Sequence, residues 1–237
     1  IIGSIVALVF LAVAGNEKRA AAGLTRQNWK SAVLIVLAFV GIYIVRTVVS
    51  VAVQGVSDGS GMQHVKEWAA MFKNPMMWLN IAALPINYFF VFIAFFGEEY
   101  GWRYYLQPVL QKRFGLRAGV IILGIVWGLW HIPDDLFYYT QTSGIQMIFA
   151  QQITCISLGI FFAYAYMKTQ NIWVPVCLHY LNNNLIPIIS GTFSADVLEN
   201  QTVSWKDLPV ALVLNGLCFG FFLLADVFKK KEVQEEE

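Results

Sequence analysis

The sequence predicts an all-α fold, a polytopic bundle of transmembrane helices, and three observations lead there. Hydrophobic residues fill 58% of the 237 positions and charged ones only 13%, against about 45–50% and about 25% in soluble domains. The mean hydropathy is +0.60. The apolar residues also gather into long runs without the period-two alternation of barrel strands, and only helices or closed barrels satisfy the backbone inside lipid.

Seven apolar segments follow one another along the chain, so about seven spans are expected in a single transmembrane domain over residues 1–237. Ile1 to Ala14 is shorter than the roughly 20 residues a spanning helix needs and lacks an initiating Met. It is read as the truncated remnant of a first span rather than a signal peptide, because the basic stretch NEKRAAAGLTRQNWK after it is a poor cleavage context. Ser31 to Val53, Met76 to about Leu110, Ala118 to Ile132, Ile145 to Met167, Ile172 to Ile189 and Leu208 to Phe228 are the others. Proline is expected to break the third segment at Pro85 and Pro108.

Lysines and arginines collect on alternate connections. Lys18, Arg19, Arg26 and Lys30, then Lys112, Arg113 and Arg117, then Lys168, then Lys229, Lys230 and Lys231 lie on one side; Lys66, Lys73 and Lys206 lie on the other. The positive-inside rule makes the first, third and fifth connections and the C-terminal tail cytoplasmic, and a bacterial plasma membrane is the expected location. Between the second and third segments, GMQHVKEWAAMFKNP places Val65, Trp68, Ala69 and Phe72 on one helical face. This segment suits either the outer membrane surface or a loop helix packed on the bundle, and His64 within it is read as solvated.

Composition also excludes partners and chemistries. A net charge of +1 without a long basic block argues against nucleic acid. Cys155, Cys177 and Cys218 each stand alone in apolar runs, which suits small core residues rather than a disulfide or zinc framework. A G-x-S-x-G elbow is absent, and Cys177, two residues from His179, points away from it on one helix.

Ionisable residues inside spans are costly and mark function by default. Glu98 and Glu99 sit side by side in the third segment, with Arg103 beyond them. At 1.5 Å per residue from the nearest cytoplasmic end, Glu98 lies ~18 Å deep, Arg103 ~10 Å, His131 ~21 Å and His179 ~12 Å, so the groups overlap in level. Glu99 and Arg103 are i and i+4 and share a face. Glu98 is rotated by about 100° from Glu99 and is left without direct neutralisation, free to serve as a general base. His179 and Asn183 are likewise i and i+4, an imidazole and a carboxamide able to hydrogen-bond a developing oxyanion.

The run Glu98-Glu99-x-x-x-Arg103, a histidine at the end of the next span followed by Ile-Pro, and His179-x-x-x-Asn183 resembles the CPBP family of intramembrane proteases, which includes the CAAX prenyl endopeptidases and the bacterial Abi proteins. The resemblance covers a core of about residues 76–189. One departure is Trp127, where the family usually has Phe four residues before the histidine.

By this resemblance Glu98 and His131 hold and activate a water, Glu99 and Arg103 order the site, and His179 with Asn183 steadies the tetrahedral intermediate. It implies hydrolysis of peptide or lipidated protein substrates in the bilayer. No cofactor is required in the favoured reading; zinc at the Glu/His cluster is the lesser alternative, since H-E-x-x-H is absent. Two other functions fit less well. A non-catalytic regulator or immunity protein would bind a sensor kinase or other membrane partner, and a proton-coupled transporter would ordinarily show an internal repeat.

Overall fold

A computed structural model describes residues 13–190 and 199–229 together with Val6 and Val9. Most of the first apolar segment lies outside the described residues. A short helix α1, Asn16–Ala21, leads to α2, Trp29–Asp58. Asn28 precedes α2 in the left-handed region (φ 51°), and its Nδ2 donates to Thr169 O at 3.0 Å, tying this end of α2 to a later helix. Gly59 ends α2 at φ 78°, a conformation that favours glycine.

Helix α3, Gly61–Lys73, is the amphipathic connection. Its Trp68, Met71 and Phe72 line an apolar cavity beside α2, whereas Val65 is exposed. His64, expected to be solvated, is partly exposed, with Nε2 2.9 Å from Ser60 Oγ and Nδ1 3.4 Å from Glu67. Asn74 then caps α4, Pro75–Glu99: its Oδ1 accepts from Met76 N at 3.0 Å, and Pro75 occupies the first turn, where no N–H is needed.

The third apolar segment departs from expectation in the position of its break. Helix α4 continues through Pro85, and the regular ladder changes only at Tyr100–Leu106, a π-helical segment leading into α5, Gln107–Phe114. Pro108 in the first turn of α5 supplies the reason: it has no N–H for a regular ladder, and a widened turn relieves the clash of its ring with the preceding turn. Such π segments recur at functional sites, and this one follows Glu99 directly.

Helix α6, Leu116–Trp130, ends at His131, and α7, Ile132–Phe137, continues beyond it. Then come α8, Gly144–Thr169, and α9, Trp173–Ser190. Two glycines four apart set the packing of α6 on α8. A Cβ at Gly124 would stand 2.6 Å from Ile156 Cα, and one at Gly128 would meet the Gln152 amide at 2.6 Å. Small residues at this spacing let backbones approach closely, as in membrane helix pairs.

The last apolar segment does not form one span. Helix α10, Asp207–Cys218, has 12 residues, about 18 Å of rise, and gives way to 3₁₀ turns at Gly220–Leu224 and Asp226–Phe228. The break turns Phe219 and Phe222 inward. Phe219 is buried with its ring 5.6 Å from Phe39, and Phe222 meets Phe161 edge-on at 4.7 Å. Among the described residues four helical stretches are long and apolar enough to cross a membrane: Trp29–Ser57, Pro75–Phe114, Leu116–Phe137 and Gly144–Thr169. The fold is a polytopic helical bundle with no strand among the described residues, its core clustered where α2, α6, α8 and α9 meet around Phe39, Trp127, Phe161, Phe162 and Leu178.

Candidate active site

Glu99 is the last residue of α4 and is fully buried. Arg103, inside the π segment and equally buried, donates from Nε to Glu99 Oε2 at 2.8 Å and from Nη1 to the carbonyl of Gly159 at 3.2 Å. Its guanidinium lies 5.5 Å from the ring centroids of both Trp127 and Phe162. Removing an ion pair from water costs several kcal/mol per ion. A carboxylate, a carbonyl and two aromatic faces, the last worth about 0.5–2 kcal/mol each, offset that cost.

The second oxygen of Glu99 goes to another helix. His179 Nδ1 of α9 donates to Glu99 Oε1 at 2.9 Å. A carboxylate already paired with arginine only accepts, so the hydrogen sits on Nδ1 and Nε2 is left without one in the neutral imidazole. The rings of Phe95, Trp127 and Phe162 surround His179 at 5.1, 5.4 and 6.2 Å. The spacing of α9 set His179 and Asn183 on one face as a pair for an oxyanion; the ring itself bonds Glu99, because Arg103 leaves one carboxylate oxygen open. Asn183 is exposed, and its Oδ1 accepts from Asn182 Nδ2 at 3.0 Å, while its own amide N–H groups have no partner among the described residues.

His131 stands at the junction of α6 and α7 with Nδ1 2.9 Å from the Trp127 carbonyl. A carbonyl cannot donate, so here too Nδ1 carries the hydrogen and Nε2 keeps its lone pair. Trp127 therefore serves His131 through its backbone and lines the site with its ring, 5.9 Å from the imidazole. Cys155 Sγ of α8 lies 3.8 Å from His131 Nδ1, so a cysteine does stand beside a histidine, which no within-helix spacing could reveal. Glu98 is half-buried; its Oε2 is shielded from solvent and has no protein partner, and it lies within electrostatic reach of Cys155.

His131, His179 and Asn183 all line one cavity of about 310 Å³. Asp135, one turn beyond His131, is fully buried with both carboxylate oxygens unpartnered by protein atoms; its place in the motif His131-Ile-Pro-Asp-Asp was the available signal. The Gly159 carbonyl and Phe162 were also missed. The spacing Gly124-x-x-x-Gly128 was the sign that α8 would come close enough to deliver them. No three His, Cys, Asp or Glu side chains among the described residues are grouped as ligands for a metal ion.

A helical membrane protein whose buried glutamate joins an arginine to a histidine beside an intramembrane cavity is the class that the fold and site define. Residues 78–185, which include all six expected site residues, match the family model of the Type II CAAX prenyl endopeptidase Rce1-like proteins. CAAX prenyl protease 2 of Methanococcus maripaludis is 28% identical over 125 residues, 49% of this chain and 45% of that protein. The chain thus spans less than half the length of that curated relative. No solved structure matches. Over this segment the chain is similar to CAAX-type prenyl proteases.

Proposed function

We propose that this protein is an intramembrane endopeptidase that hydrolyses membrane-associated or lipidated peptides with a glutamate-activated water. The observation that carries the reading is the hydrogen-bonded chain Arg103–Glu99–His179, which fixes one imidazole at the wall of the cavity that His131 also lines.

Glu98 accepts a proton from water positioned with the help of His131 Nε2, and the hydroxide oxygen bonds to the substrate carbonyl carbon. The carbonyl π electrons move to oxygen, where Asn183 N–H and the Nε2–H of protonated His179 donate to the oxyanion. Glu99, accepting from Nδ1, fixes the orientation of that imidazole. Collapse of the intermediate breaks the C–N bond, and the proton held by Glu98 passes to the departing nitrogen. Peptide and water become an acid and an amine. The route needs no metal ion.

The basic residues of alternate connections support a topology with the first, third and fifth connections and the tail in the cytoplasm. Cleavage of a lipidated, internally quenched peptide by the purified protein in lipid nanodiscs tests the function. Turnover that Glu98→Gln abolishes supports hydrolysis; equal turnover by the variant refutes the assigned base.

A further inference from the structure

Arg46 is a cation in the middle of an apolar helix. It lies on α2, about 18 Å from the nearer, Asp58 end, too deep for a side chain that escapes to the interface as those near helix ends do. Its guanidinium stacks over the Tyr43 ring at 5.8 Å, and Nε is sealed from solvent without a hydrogen-bond acceptor. No carboxylate among the described residues forms an ion pair with it. Arg103, the other intramembrane arginine, has a carboxylate, a carbonyl and two rings. Arg46 also lines the cavity of His131, His179 and Asn183, and it lies outside the segment that matches the family model.

A guanidinium held at such depth without a carboxylate partner among the described residues suits an anion brought in by a ligand. Lipid phosphates stay at the interface, whereas a peptide occupying the cavity brings one carboxylate at its C-terminus, whose planar pair of oxygens matches the guanidinium fork. We infer that Arg46 is a specificity residue that binds the terminal carboxylate of the peptide in this cavity. This rests on the hydrolytic reading above.

The test uses two lipidated, internally quenched peptides of one sequence, ending in a carboxylate or in an amide, with protein in phosphatidylcholine nanodiscs. Wild type is expected to show a KM for the acid roughly ten-fold or more below that for the amide, the worth of a charge-assisted hydrogen bond. Arg46→Gln should abolish the difference and Arg46→Lys should keep part of it, with kcat for the acid little changed in both. Equal KM values in wild type, or a preference that survives in Arg46→Gln, overturn the assignment.

Binding of the same peptides to Glu98→Gln protein separates this inference from catalysis. Tighter binding of the acid that Arg46→Gln removes upholds it even if nothing is cleaved, and indifferent binding rejects it. A lipid phosphate as the true partner would show as a wild-type melting temperature that rises with added phosphatidylglycerol while that of Arg46→Gln does not, and this too would overturn it.

Discussion

Glu99 and His179, 80 residues apart in sequence, meet at 2.9 Å through Oε1 and Nδ1, while the other oxygen of Glu99 is held by Arg103 at 2.8 Å. The carboxylate is therefore a hinge between two helices, and the imidazole it holds is fixed in both orientation and tautomer.

If the pair is a buried structural element as well as an orienting one, its members should not be separable. Glu99→Gln leaves the Arg103 guanidinium buried without its counter-ion and is expected to destabilise the protein by about 3–5 kcal/mol. Arg103→Met in the same background should cost less than the sum of the two single changes. Unfolding of the four proteins in detergent gives the coupling; additive losses would mean that the pair contributes nothing jointly.

The histidine tautomers follow from acceptors that cannot donate. For His131, whose Nδ1 faces the Trp127 carbonyl, ¹⁵N spectra at neutral pH should show a protonated Nδ1 and a bare Nε2. Replacing the Trp127 side chain by Phe should leave that tautomer in place, because the contact is to the backbone. A protonated Nε2 in the resting protein would contradict the role assigned to His131.

Packing carries a third consequence. Gly124→Val puts a side chain where a Cβ already stands 2.6 Å from Ile156 Cα, pushing α6 off α8 and withdrawing the Gly159 carbonyl from Arg103. A loss of about 1–3 kcal/mol is expected, accompanied by reduced activity. Gly41→Ala, on α2 where nothing lies within 4 Å of the added carbon, should instead be neutral or stabilising by up to about 1 kcal/mol. Thermal melts of the two variants decide; equal effects would mean that the close approach of α6 and α8 does not matter.

The parts of this arrangement legible in the sequence are those governed by a single helix. Apolar length marked α6, α8 and α9 within a few residues, and the i, i+4 rule paired Glu99 with Arg103. What spacing within one helix cannot reach is a partner on another: the bond from His179 to Glu99, the approach of Cys155 to His131 and the Gly159 carbonyl all depend on how α6, α8 and α9 pack. Backbone irregularity was equally hidden. Pro85 is accommodated within α4, the widened turn falls before Pro108, and the segment from Leu208 breaks after Cys218 because Phe219 and Phe222 gain more by turning into the core than by continuing a short helix.

The central claim is that Glu98 activates the attacking water. Mass spectrometry of a lipidated peptide incubated with wild type or Glu98→Gln protein in nanodiscs tests it most directly, with matched melting curves as the control for folding. The account predicts a single cleavage by wild type, with ¹⁸O from labelled water in the new carboxyl group, and a rate in Glu98→Gln lower by roughly 10²–10⁴-fold, the contribution of a general base. Undiminished cleavage by a folded Glu98→Gln protein would contradict it.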